Sequence, residues 1–169
     1  MKAAGVILAV AAALALQTTL SPFVIRGIGA VDLVFVVVVY AALTSGSVTG
    51  LLTGTLAGLV QDALSSGVIG IGGLAKTVVG FLAGIVGTQF IVSQPLPRFV
   101  VFFGATILHA AIFIGLYELL DLRHFGTPYA AVLGQAAGNA VVGVVAFQLA
   151  ELLPGAMERR RAQKTRIRR

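Results

Sequence analysis

Residues 46–62 read GSVTGLLTGTLAGLVQD. Glycine recurs at every fourth position of this apolar stretch, and an acid takes the next place in the row, which runs Gly46, Gly50, Gly54, Gly58 and Asp62. In lipid no hydrophobic force draws helices together, so they associate through close van der Waals contact, which small residues permit. The row therefore predicts a close-packing surface along a membrane helix.

This row turns slowly about its helix. With 3.6 residues per turn each fourth position drifts by about 40°, and four steps cover about 160°, so the helix could contact more than one neighbour. Similar rows occur in two other apolar segments, at Gly80 and Gly84 and at Gly134 and Gly138. Two interpretations stay open, because the rows could pack the bundle internally or one of them could dock a partner's helix.

The composition is that of an integral membrane protein. Of the 169 residues, 58% are hydrophobic and 11% charged, and the mean hydropathy is +1.02. A spanning helix needs about 20 apolar residues, so we predict an all-α, compact polytopic bundle of about six transmembrane helices over 1–156, followed by a basic tail over 157–169. The first segment is expected to be a retained span and not a signal peptide. The predicted helices lie at about 3–20, 32–44, 47–64, 74–92, 98–120 and 129–153.

The net charge of +6 comes from the tail, which holds seven basic residues and one acid. Basic flanks stay on the cytoplasmic side, so both termini are expected in the cytoplasm, with Arg98 in an inner loop and Arg26 and Arg123 outside as minor exceptions. The tail is expected to act as an anchor that touches anionic lipid, with a cytoplasmic protein partner as the alternative. One terminal run gives no reason to expect nucleic-acid binding.

Asp62 and Lys76 are predicted near the outer face, at comparable depth on consecutive helices. A carboxylate in a span is costly unless it is paired or faces water. The two side chains are therefore expected to form an ion pair, or else Asp62 contacts a partner or ligand.

His109 and Asn139 fall near the middle of the fifth and sixth spans, and Gln135 lies one turn from Asn139. Buried hydrogen bonds between facing helices are the expected role. A proton relay would need an acid at the same depth, and the sequence shows none there.

Motifs of soluble enzymes are absent from the sequence. The run from Gly70 to Gly73 lacks the ending of a phosphate loop, two isolated histidines do not make a metal site, and no nucleophile setting is recognisable. With no cysteine thiol chemistry is excluded. We therefore expect no catalysis, no metal and no cofactor.

Several runs together resemble MreD, the rod shape-determining membrane protein family, most densely over about 32–84. They are Asp32-Leu33, Tyr40-Ala41-Ala42-Leu43, the glycine row with Gln61-Asp62, and Val79-Gly80-Phe81-Leu82-Ala83-Gly84. The resemblance implies a non-enzymatic part of the bacterial elongation machinery in the cytoplasmic membrane. It also implies MreC as a partner through its membrane helix and, indirectly, RodA, a class B penicillin-binding protein and MreB. Asp32 joins the functional candidates on this basis.

The family is also similar in architecture to the S components of energy-coupling-factor transporters, which gives the alternative function. A vitamin-type binder would need an outward-facing pocket with several convergent polar or aromatic groups. This chain has no tryptophan and three tyrosines, so we rank a membrane scaffold first.

Overall fold

A computed structural model describes residues 3–20, 31–65, 67–90, 94–122, 125–126 and 129–167, with the side chains of the last helix described as far as 152. The described residues form six helices and no strand, which confirms the predicted all-α bundle. The helices are α1 (Ala3–Leu20), α2 (Leu33–Ser45), α3 (Ser47–Leu64), α4 (Ile71–Gln89), α5 (Pro95–Leu119) and α6 (Tyr129–Ile167).

Two helices begin earlier than the sequence predicted. Helix α4 begins at Ile71, after Gly70 takes a φ of +107° that favours glycine. Helix α5 begins at Pro95, because proline fits the first turn of a helix, where its missing N–H has no helical partner. The expectation that Arg98 lies in an inner loop was thus wrong, because residues 95–98 form the first turn of α5 and Arg98 is one of its buried residues.

The side chains of the basic tail and two basic loop residues lie outside the described part of the chain. The backbone of α6 remains helical through the tail as far as Ile167, while the side chains there lie outside the described ones. Arg26 and Arg123 also lie outside the described residues. The division into a bundle and a tail therefore stays a prediction.

Helix α2 is the centre of the bundle, since it contacts each of the other five helices. Its thirteen residues rise about 20 Å, short of the roughly 30 Å of a hydrocarbon core. Helix α2 can be short because protein surrounds it. Val34, Val38 and Val39 have no exposed surface, and Phe35 packs in a core cluster with Phe102 of α5.

Helix α3 packs most extensively against α4, along the glycine row. A Cβ atom on Gly50 would overlap the carbonyl oxygen of Gly80, and one on Gly54 would overlap that of Lys76. A Cβ atom on Gly58 would lie 2.5 Å from the Cα atom of Gly73. The two backbones touch, so in the described bundle the row from Gly50 to Gly58 is an internal packing surface.

The remaining glycines of the predicted rows have mixed surroundings. Gly84 approaches the backbone of Ser47 at the start of α3, and Gly138 of α6 approaches the side chain of Val31. Gly46 separates α2 from α3 as a single residue with a φ of +89°, a left-handed value that favours glycine. Gly134 is half-buried.

Within the part of the chain that the structure describes, three helices are long and apolar enough to cross a membrane: Ile71–Gln89, Pro95–Leu119 and Tyr129–Leu152. Ala4–Thr19 and Leu33–Ser45 are shorter apolar helices. We call the two ends of the bundle the Gly46 end, where α2 meets α3, and the Gly70 end, where the α3–α4 connection lies.

Candidate functional site: a polar layer inside the bundle

Each helix places one polar residue at about the same height in the bundle. The residue lies thirteen or fourteen positions from the end of its helix, or of the apolar span in α6, at the Gly46 end, which is about 20 Å at 1.5 Å per residue. We call this set the polar layer. Its members are Gln17, Asp32, Gln61, Lys76, His109 and Asn139.

An ion pair lies at the centre of the polar layer. The Lys76 Nζ atom of α4 is 3.0 Å from the Asp32 Oδ2 atom at the start of α2, and the two residues are 4% and 6% exposed. The expected partner of Lys76 was Asp62, and that prediction was wrong. Charges inside a membrane bundle pair with one another, and here the pairing joins α2 to α4.

The backbone N–H groups at the start of α2 are bound by side chains from α1 and α6 and by its own N-cap residue. Asp32 N–H donates to Asn139 Oδ1 at 2.9 Å, and Val34 N–H donates to Gln17 Oε1 at 3.3 Å. Phe35 N–H donates to Asp32 Oδ1 at 2.9 Å, so Asp32 is also the N-cap of α2. Helix α2 can therefore start inside the bundle without water to solvate its free donors.

Asn139 also links α6 to α5. Its Nδ2 atom donates to the Thr106 hydroxyl at 3.2 Å, and that hydroxyl donates to the Phe102 carbonyl at 2.8 Å. Asn139 and Thr106 are each 1% exposed. Asn139 thus makes a buried hydrogen bond between facing helices and also binds the backbone of α2.

His109 lies beside the ion pair. Its Nε2 atom is 3.4 Å from Lys76 Nζ, and because an ammonium group only donates, the neutral ring accepts at Nε2 and carries its proton on Nδ1. Its ring centroid is 4.8 Å from that of Phe35. No acid was predicted at this depth from the sequence. That prediction was wrong, since the short α2 brings Asp32 there.

Gln61 completes the layer from α3. Its Nε2 atom donates to Asp32 Oδ1 at 3.4 Å, while its buried Oε1 atom finds no hydrogen-bond partner among the described residues. Asp32 therefore receives polar contacts from the side chains of Gln61 and Lys76 and from the Phe35 backbone. Its charge is compensated from three directions.

Asp62 lies one residue beyond the layer and binds the start of α4. Its Oδ2 atom accepts hydrogen bonds from the N–H groups of Gly70 and Gly73, each at 2.9 Å. These are among the free donors at a helix N-terminus, where a negative charge is also favourable. Asp62, the last residue of the row that begins with the α3 glycines, thus links α3 to the start of α4.

A second buried basic residue lies at the Gly46 end. The Arg98 guanidinium of α5 forms an ion pair with Glu151 of α6, with one of its two hydrogen bonds at 3.2 Å. Its Cζ atom lies 4.5 Å from the ring centroid of Phe147, within the range of a cation–π contact. Arg98 ties α5 to α6 where the apolar span of α6 ends.

The side chains of the polar layer bind one another and the backbone of α2. Among the described residues no group of three His, Cys, Asp or Glu side chains could hold a metal ion. Gln17, Gln61, Thr106 and the pair of Arg98 with Glu151 were not among the residues predicted from the sequence. The common spacing from one end of each helix was a usable signal for the two glutamines, whereas nothing in the sequence pairs Arg98 with Glu151.

Two apolar grooves open on the outside of the bundle. One, of about 650 Å³, lies between α1 and α3 and is lined by residues that include Val10, Ala11, Leu52 and Leu56. The other, of about 520 Å³, lies between α5 and α6 toward the Gly70 end and includes Glu118. Both grooves are lined mainly by apolar side chains.

A comparison with protein-family models gives a match. The family model described as rod shape-determining protein MreD matches residues 2–149, nearly the whole chain. No curated protein and no solved structure matches significantly, so the expected likeness to transporter S components stays a prediction. The resemblance stated for 32–84 extends over the bundle, and the chain belongs to the MreD family of rod shape-determining membrane proteins.

Proposed function

We propose that this chain is a non-enzymatic scaffold of the bacterial elongation machinery, which binds the membrane helix of MreC and supports lateral peptidoglycan synthesis. The observation that carries the proposal is membership of the MreD family over residues 2–149. Through MreC the scaffold connects to RodA and a class B penicillin-binding protein on one side of the membrane and to MreB on the other.

The polar layer favours a scaffold over a binder of small molecules. Asp32, Lys76 and Asn139 are buried and bonded to one another or to the backbone of α2. A binding site for a polar ligand needs polar groups that converge on free space. These groups instead hold six helices in one arrangement, which suits a protein that presents a fixed surface.

The docking surface for the MreC helix lies outside the α3 glycine row in this proposal, because α4 already covers that row. We assign the helix to the groove between α1 and α3. The groove is apolar and concave, and its large side chains Ile7, Leu52 and Leu56 are each more than half exposed in the described bundle. A partner helix seated there would cover these apolar side chains.

Co-purification tests both the binding of MreC and the position of its docking surface. Tagged MreC, co-expressed with the full chain, should capture it from detergent-solubilised membranes. Ala11→Trp fills the groove and should lower the captured amount at least about tenfold, as expected for a large clash in a packed helix interface. Ala137→Trp, on an exposed position of α6, is the matched control and should leave capture unchanged.

The outcomes separate the scaffold from its docking surface. No capture of the parent chain above that of an unrelated membrane protein would overturn the scaffold proposal. Capture that is unaffected by Ala11→Trp would overturn only the groove. In cells from which the gene for this protein has been deleted, expression of the chain should also restore rod shape and side-wall incorporation of labelled peptidoglycan.

A further inference from the structure

The start of α2 lies deep in the bundle, and its position needs an explanation. Asp32 and Lys76 both lie thirteen residues from the Gly46 end of their helices, so the start of α2 is level with the second turn of α4. Toward the Gly70 end, α5 and α6 continue for ten residues beyond His109 and Asn139, whereas α1 and α3 continue for three beyond Gln17 and Gln61 and α4 for five beyond Lys76. At 1.5 Å per residue, Asp32 lies about 5 to 15 Å below the ends of the five helices that surround it.

The charge of Asp32 opposes this position. A carboxylate within the hydrocarbon region is costly, and the cost is relieved when the charge reaches the interface or water. Helix α2 begins at Leu33, directly after Asp32. Contacts with other helices hold this polar start in place, and among the described residues the one basic side chain that contacts Asp32 is Lys76.

We infer that the Asp32–Lys76 pair is a latch that holds the start of α2 at the polar layer, and that breaking it from the Lys76 side lets this end move toward water at the Gly70 end. The pair joins two helices of different length. Helix α4 has the length and composition of a membrane span, whereas α2 is among the shorter apolar helices. The charge on α2 therefore decides where α2 lies.

This latch predicts an asymmetry that a merely structural ion pair would not show. Lys76→Met leaves a lone carboxylate on the short α2, so the start of α2 should move. Asp32→Asn leaves α2 neutral, with an amide that can still cap the helix, and puts the lone charge on α4. In that variant α2 should stay in place.

The experiment measures water access at the start of α2 in the full chain in membranes. The chain has no cysteine, so Leu33→Cys gives a single label site at the first residue of α2, and a membrane-impermeant maleimide reports its exposure. Lys76→Met should raise the labelling rate at least about tenfold, in line with the cost of a buried charge. Asp32→Asn, alone or with Lys76→Met, should keep the rate within about twofold of the parent, since no charge remains on α2.

Arg98→Met is the matched control, because it removes the other buried basic partner of a carboxylate, at the opposite end of the bundle. It should leave labelling at Leu33→Cys unchanged. A parental rate in Lys76→Met, an equal rise in Asp32→Asn, or an equal rise in Arg98→Met would each overturn the latch. If Lys76→Met accumulates too poorly to label, Asp32→Asn in the same chain must restore accumulation, and failure to do so also overturns it.

Discussion

Single polar residues decide where the helices of this bundle begin. Asp32 caps α2 and neutralises Lys76, while Asp62 binds the first N–H groups of α4. Both carboxylates accept hydrogen bonds from backbone N–H groups at a helix start, and among the described residues Asp32 alone of the two forms an ion pair. In the absence of water each free donor of a buried helix end needs an acceptor from the protein.

The role of Asp62 predicts a defined loss of stability. Asp62→Ala leaves the N–H groups of Gly70 and Gly73 without their acceptor, and should lower the free energy of unfolding by about 1–3 kcal/mol. Thermal unfolding in detergent, under matched conditions, measures the loss. Glu118→Ala removes an exposed carboxylate of α5 and should change stability by less than about 0.5 kcal/mol. Equal unfolding midpoints for the two variants would contradict the capping role.

At the scale of helices, the α3–α4 contact depends on the absence of side chains. Gly54→Ala places a methyl group against the carbonyl oxygen of Lys76 and should cost about 1–3 kcal/mol, because two backbones must separate. Gly104→Ala is the control, since a Cβ atom there meets open space, and in a helix it should be neutral or stabilise by up to about 1 kcal/mol. Unfolding in detergent distinguishes the loss of stability expected for Gly54→Ala from the unchanged or higher stability expected for Gly104→Ala. A stable Gly54→Ala variant would show that the helices are not in backbone contact.

The contact between α5 and α6 at the Gly46 end depends on the shape of a guanidinium group. Arg98→Lys keeps the charge but loses the forked hydrogen bonds to Glu151 and the stacking on Phe147. It should lower stability by about 1 kcal/mol, a modest figure because Glu151 is largely exposed. Adding Glu151→Gln should cost less in the Arg98→Lys background than in the parent, as a double-mutant cycle would show. Additive losses would mean that the pair contributes nothing as a pair.

For the whole molecule, the basic residues of the tail predict the orientation in the membrane. We predict that both termini are cytoplasmic, so a fluorescent protein fused after Arg169 should fluoresce and a periplasmic phosphatase fused there should be inactive. Replacing the seven basic tail residues with glutamine should raise the inverted fraction, because Lys and Arg set orientation while acids contribute little. Glu158→Gln is the control and should change nothing. The seven are Arg159, Arg160, Arg161, Lys164, Arg166, Arg168 and Arg169.

The tail also predicts an interaction with lipid. Vesicles that contain anionic lipid should bind the reconstituted chain's tail more tightly than neutral vesicles, by roughly 1 kcal/mol for each basic residue near the surface. Cosedimentation of a peptide of residues 157–169 measures this directly, and its binding should weaken as salt rises. Equal binding to neutral and anionic vesicles would favour a protein partner for the tail.

The sequence by itself determined the class of fold and the identity of most helices. Apolar length located the six helices, because a backbone in lipid can satisfy its hydrogen bonds only within itself, although α4 and α5 begin three residues earlier than predicted. It also showed which residues were unusual for a membrane span, including Asp32, Lys76, His109 and Asn139. Those features are local, so the sequence carries them directly.

Only the tertiary structure decided which polar residues meet. Asp62 and Lys76 are close in sequence and similar in depth, but the short α2 at the centre brings Asp32 to Lys76 and leaves Asp62 to cap α4. Pairing depends on the angle at which each side chain leaves its helix and on which helices are neighbours. Close packing of the helices sets these directions and neighbours. The order of residues along the chain does not contain this information.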